Sequence, residues 1–218
     1  IELTQPIDLA GEKWVSVGTK DKSFSGNFDG NGYEISNLTI GSESSPSEDV
    51  YAGLFGYVTD TAKFSDVTLK NVSIYTNPQE VAYAGGIVAY AKVNSKVPTA
   101  TVLQNCHVSG NISVDTSAVN KNVMVGGIIG FGNQCMTVAN CGSTVDITVK
   151  AGSGIANVGG VIGFSGIKSA IMNSYYIGKI YAASTHTNTA VGGILGGSTG
   201  MLYNNYASAE ITTAEENK

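Results

Sequence analysis

Apolar and polar residues alternate in short runs along this chain, and the runs are broken at intervals by the same cluster of glycines. Ala52-Gly53-Leu54-Phe55-Gly56-Tyr57 returns as Gly85-Gly86-Ile87-Val88-Ala89-Tyr90, then as Gly126-Gly127-Ile128-Ile129-Gly130-Phe131, Gly159-Gly160-Val161-Ile162-Gly163-Phe164 and Gly192-Gly193-Ile194-Leu195-Gly196-Gly197. The second glycines, at 53, 86, 127, 160 and 193, are separated by 33, 41, 33 and 33 residues, so the period is 33. The longer interval predicts a polar insertion around Lys92 to Pro98 that projects from one repeat as a loop.

A second landmark follows each glycine cluster: Asn105, Asn140, Asn173 and Asn204, with Asp66 at the matching place in the first copy. Seven residues after each Asn stand Ile112, Ile147, Ile180 and Ile211, and one residue earlier stand Asn111, Asp146, Lys179 and Glu210. An apolar column beside a polar one is period-two alternation, the mark of a strand with one face buried.

Columns repeating at a fixed period require a stack. One coil cannot bury its apolar face alone, but coils about 4.8 Å apart set like residues over like and close a continuous core. The expected fold class is therefore all-β, a right-handed parallel β-helix (solenoid) of about six coils with 33-residue repeats. It forms one domain over 1–218, with an N-terminal cap and first coil in 1–50 and five Gly-Gly repeats in 51–218. Helix-pair repeats share the period, but mid-element Gly-Gly and β-branched alternation oppose them. A propeller blade needs a longer repeat. The glycines are expected at sharp corners with φ > 0, and the aromatic column Tyr57, Tyr90, Phe131 and Phe164 either fills the interior or lies on one face.

Upstream, Phe24-Ser25-Gly26-Asn27-Phe28-Asp29-Gly30-Asn31-Gly32-Tyr33 and the following Ile35-Ser36-Asn37-Leu38 read as strand, turn, strand. Together with Ala52-Gly53-Leu54-Phe55-Gly56 this resembles the GLUG-repeat family of bacterial surface proteins, from about Trp14 to Ile211. The later copies depart from Gly-Leu-Phe-Gly conservatively. The resemblance implies an exported, adhesin-like protein at the cell surface, often lipid-anchored, and such repeats also accompany IgA-specific metallopeptidases. It transfers no catalytic residue.

Composition narrows the function classes. The net charge is −5, all twelve cationic residues are lysine, and there is no arginine. Without a basic stripe or guanidinium forks, nucleic acid is not an expected partner. No apolar run reaches the roughly 18 residues of a membrane helix, and the opening Ile1-Glu2-Leu3 reads as a mature or trimmed form rather than a signal peptide.

Chemistry-bearing patterns are sparse. The two histidines, His107 and His186, lie 79 residues apart, and no His-Glu-x-x-His segment occurs. Between Ala82 and Ala209 the only carboxylates are Asp115 and Asp146. Their column positions differ by four residues, about 13 Å along a strand, whereas glycoside hydrolysis wants about 5 to 9.5 Å. Asp29-Gly30-Asn31-Gly32 reads as a tight turn rather than a calcium loop. Cys106 and Cys141 share a column within disulfide reach, but the unpaired Cys135 shows no disulfide framework, so free thiols are expected. No catalytic group, cofactor or metal site is expected, and the Asp146, Lys179, Glu210 column is a solvated face.

One column is a candidate ligand-binding face. Two residues after the Asn stand His107, Gly142, Tyr175 and Tyr206, with Tyr176 adjacent and Tyr181 and Tyr203 nearby. By alternation the column points outward, where tyrosines stack on sugars or anchor a protein. The leading expectation is a non-catalytic surface module that binds a host protein or glycan; a structural spacer or accessory domain of a larger exported protein is second, and a polysaccharide-acting β-helix enzyme third. Thr212 to Lys218 reads as a frayed polar tail, and the last coil needs a cap, a neighbouring chain or a further domain.

Overall fold

A computed structural model describes residues 1–10, 12–59, 61–93 and 100–214. Every strand pairs parallel with its sequence equivalent in the next coil, and each coil visits four sheets in turn. The first sheet holds Asn27–Asp29, Lys63–Ser65, Thr101–Gln104, Met136–Ala139, Ala170–Met172 and Met201–Tyr203. The second, built from the longest strands, holds Ile7–Asp8, Glu34–Ser36 and Thr39–Ile40, then Thr68–Thr76, His107–Asp115, Gly142–Lys150, Tyr175–Ala183 and Tyr206–Ala214. The third holds Tyr51–Ala52, Ala82–Gly85, Val123–Gly126, Ala156–Gly159 and Ala190–Gly192, and the fourth Phe55–Thr59, Val88–Lys92, Ile129–Gln134, Ile162–Ile167 and Leu195–Ser198. The result is a parallel β-solenoid of five four-strand coils, closed at the start by a shortened coil and followed by half a coil. Among the described residues no helix is long and apolar enough to cross a membrane.

The expected columns are the pairing register. Ile74, Ile112, Ile147, Ile180 and Ile211 stand over one another, and all but the last are buried. Burial of each such side chain contributes roughly 1.5–3 kcal/mol. The 41-residue interval leaves the register intact, since Gly85 still pairs with Gly126. Of the segment expected to project there, 94–99 lies outside the described residues.

The corners reverse the expected roles of Gly and Asn. The ladder residues Asp66, Asn105, Asn140, Asn173 and Asn204 have φ of 53°, 55°, 56°, 51° and 49°, so these side chains stand where the chain turns left-handed between the first and second sheets. Asn tolerates that region because its amide bonds locally. Here it also bonds along the stack: Asn105 Nδ2 donates to Asp66 Oδ1 at 3.0 Å and Asn140 Nδ2 to Asn105 Oδ1 at 3.3 Å. The repeated Gly-Gly residues are not in that region. They are glycine because backbones touch: a Cβ on Gly126 would stand 2.1 Å from the Ile129 carbonyl oxygen, and one on Gly127 would stand 2.4 Å from that of Gly160.

Beside the Asn ladder runs an inward column of small polar groups. Cys141 Sγ accepts from the Cys106 N–H at 3.4 Å, Ser174 Oγ from the Cys141 N–H at 3.2 Å, and Asn205 Oδ1 from the Ser174 N–H at 2.9 Å. Cys106 and Cys141 are buried free thiols. Hydrogen bonding with Cys141, then burial, pushes the Cys106 thiol well up from its ordinary value.

The aromatic column lies at the corner between the third and fourth sheets. Tyr57, Tyr90, Phe131 and Phe164 stack in series at centroid distances of 4.8, 4.9 and 5.4 Å. Tyr51 and Tyr83, on outward positions of the third sheet, meet them edge-on, Tyr83 at 4.9 Å from Tyr90. The rings therefore fill a concave outer corner and take one another as neighbours.

The two ends differ. At the start, Glu2, Lys13, Val17 and Phe24 bridge to Asp29, Thr39, Phe55 and Val58, and Trp14 packs on the core with Nε1 donating to the Leu54 carbonyl at 3.1 Å. At the finish, Tyr206–Ala214 pairs residue for residue with Tyr175–Ala183. Thr212 to Ala214 thus belong to a strand, not to a frayed tail, because their backbone groups find the preceding coil; 215–218 lie outside the described residues. The core columns arrive at this end uncovered, with Leu202 and Ile211 exposed.

Candidate ligand-binding face

The outer face of the second sheet is a grid whose rows cross the strands. His107, Gly142, Tyr175 and Tyr206 form one row, as the register requires. Tyr206 is exposed, while His107 and Tyr175 are half-buried. Their placement has a local cause. A Cβ on Gly142 would stand 2.3 Å from Tyr175 Cζ, so the Tyr175 ring lies across the bare Gly142 backbone, its centroid 6.1 Å from that of His107. An aromatic covering a cross-strand glycine protects main-chain bonds that a side chain would otherwise shield.

Tyr176 does not belong to this face. It is fully buried, because residues next to one another in a strand point to opposite sides. Its ring packs over Gly160, where a Cβ would stand 2.1 Å from Tyr176 Cγ. Its hydroxyl lies 3.0 Å from the Val145 carbonyl oxygen and 2.9 Å from that of Lys179. Burial, and then the Asp146 charge, raise its pKa far above the ordinary phenol value.

A further row lies six residues along: Tyr75, Ser113, Thr148, Tyr181 and Thr212. Between the rows lie Asn111, Asp146, Lys179 and Glu210. Asp146 is not ion-paired with Lys179 here; its Oδ1 accepts the Lys179 backbone N–H at 3.0 Å, while Lys179 Nζ lies 3.5 Å from Glu210 Oε2. Asp115 Oδ1 accepts the Ser117 N–H at 2.9 Å and its hydroxyl at 2.6 Å.

The second row is a trough. A depression of about 470 Å³ is lined by Tyr75, Asn111, Ser113, Asp115, Asp146 and Lys150 and overhung by Glu43 and Pro46. A second, of about 260 Å³, continues it past Lys179, Tyr181 and Glu210 and shares Asp146 and Thr148 with the first. The overhang is held by structure. Gly41 turns at φ 65°, Ser42 and Ser45 exchange backbone hydrogen bonds of 3.0 and 3.1 Å, and the Ser47 N–H returns to the Tyr75 carbonyl at 2.8 Å. Sequence reading missed Tyr75 and this overhang; no repeat copy contains residues 41–47, so no column marked them.

Among the described residues no three His, Cys, Asp or Glu side chains converge as a metal site requires. His186 stands far along the chain, with Nδ1 accepting the Asn188 N–H at 3.0 Å.

No family model matches the chain, and no curated protein matches it. Among solved structures it is similar to a protein of Bacteroides ovatus described as a candidate immunoglobulin A1 protease, at a TM-score of 0.66 and 22% identity over 99% of this chain and 70% of that one. The likeness shows a shared fold. The resemblance to GLUG-repeat proteins rests on the motif residues themselves.

Proposed function

We propose that this chain is a non-catalytic binding module that presents the outer face of its second sheet to a host protein or glycan, within an exported protein displayed at a bacterial surface. The observation that carries the reading is the row of His107, Tyr175 and exposed Tyr206 on one outer face, because tyrosine joins a large apolar area to a polar handle at little entropic cost. The separation of Asp115 from Asp146 supports a non-catalytic role: four strand positions, about 13 Å, is too far for a hydrolase pair. The surface setting is supported by the GLUG-like motifs and by the fold shared with the Bacteroides ovatus protein.

The test is an array of glycans and extracellular-matrix proteins probed with the purified chain. The double substitution Tyr175→Ala, Tyr206→Ala is expected to weaken the strongest signal at least tenfold, about 1.4 kcal/mol, in a chain that stays folded with its melting midpoint lowered only by the lost cover over Gly142. Undiminished binding by that variant sinks the proposed face. A second reading, an accessory or spacer domain of a larger exported protein, is favoured by the uncovered core at the final coil; a folded chain that binds nothing on the array supports it.

A further inference from the structure

We infer that the trough on the second sheet takes an uncharged oligosaccharide of about three residues, lying along the solenoid axis between Tyr75 and Tyr181. The inference rests on the binding-module reading and gives it a ligand class and a second place of contact. Its basis is the row Tyr75, Ser113, Thr148, Tyr181, in which two rings flank two short hydroxyl side chains on four neighbouring strands. The rings stand three strand spacings apart, about 14 Å, and one spacing is close to the length of a pyranose residue. The saddle between them is low because Ser113 and Thr148 are small, and its side toward the start of the chain is walled by the overhang at Glu43 and Pro46.

The polar groups fit hydroxyls better than charges. Asp115 and Asp146 each hold one carboxylate oxygen on a backbone N–H, at 2.9 and 3.0 Å, so the second oxygen is fixed in direction and open to accept. A sugar hydroxyl donates to such an oxygen in a charge-assisted bond, while ring C–H faces settle on the tyrosines. The charge balance excludes anionic sugars. Lys179 is engaged by Glu210, which leaves Glu43, Asp115 and Asp146 facing Lys150 alone. A uronate or sialate entering the trough would meet net negative charge.

The experiment titrates the full chain with chitotriose, mannotriose and cellotriose, and with trigalacturonate as the anionic control, read by calorimetry and by NMR line broadening of the sugar. At least one neutral trisaccharide is expected to saturate, with trigalacturonate at least tenfold weaker. Thr148→Trp, which fills the saddle, and independently Ser113→Trp, are each expected to weaken it at least tenfold at an unchanged melting midpoint. Tyr75→Ala is expected to weaken it about fivefold and Tyr175→Ala less than twofold. Failure of all three neutral sugars to bind overturns the trough ligand, as does equal binding of trigalacturonate or full binding by both tryptophan variants. If array binding that depends on Tyr175 and Tyr206 persists while the sugars fail, the trough proposal alone falls; if both fail, the binding-module reading falls with it.

Discussion

At the scale of single residues, asparagine does at the corners what glycine was expected to do. Asn140 sits at φ 56° and its Nδ2 reaches the Asn105 side chain in the coil before. Asn140→Ala is expected to cost about 1–2 kcal/mol from the left-handed conformation alone, and Asn140→Gly less, because glycine restores the conformation but not the bond. Denaturant midpoints of the two variants check this; equal losses would mean that the amide ladder, not the backbone angle, is what matters. The Asn positions were legible as a column, but their φ was not, because a repeat shows that a residue is required and not which property is required. Tyr176 teaches the converse. It stands four residues before Ile180 and so shares the inward side of the strand, whereas its adjacency to Tyr175 had placed it among the candidate contacts. Its seat over Gly160 is a pairing between coils that no single repeat displays.

At the scale of elements, the third and fourth sheets are joined by an aromatic stack that the sequence marked without locating. Burial, followed by the neighbouring tyrosines, pushes Tyr57 and Tyr83 up to about 12. A phenol whose pKa is raised by folding binds its proton more tightly in the folded chain. Its contribution to stability is whole below the unfolded value near 10 and is lost as pH climbs through about 12. The chain is therefore expected to unfold cooperatively within that alkaline window, with late-ionising phenols visible in an ultraviolet titration. Tyr57→Phe with Tyr83→Phe should diminish that late component, in which Tyr176 remains, and move alkaline unfolding to higher pH; an unmoved transition would assign it to other groups. The Gly-Gly corners beside this stack explain why the motif is invariant in kind but not in its apolar pair: Ile128-Ile129 and Val161-Ile162 are interchangeable as filling, whereas a Cβ on Gly127 would meet both the Ser143 side chain and the Gly160 carbonyl.

At the scale of the whole molecule, period and architecture were readable because stacking forces each coil to repeat its neighbour, while the overhang at 41–47 and the trough beneath it were not, since they occur once. The ends obey no repeat either. Tryptophan and bridging residues cover the first coil, but the core reaches the last with Leu202 and Ile211 exposed. Ile211→Lys is accordingly expected to leave the melting midpoint nearly unchanged and to lower apolar-dye binding and light scattering, whereas Ile147→Lys, two coils deeper in the same column, should prevent folding. Similar losses from both would show that the last coil is covered in solution. The constancy of the register has one more consequence. Gly126, Gly159 and Gly192 stand directly over one another at intervals of 33 residues, so a chain in which Gly126 ran directly into Gly160 would meet the same neighbours it now leaves behind. Such a molecule has an adjustable reach, lengthened or shortened by gene-segment duplication or loss in steps of about 4.8 Å, with no seam to repair and the outer face of the second sheet extended or trimmed by one strand each time.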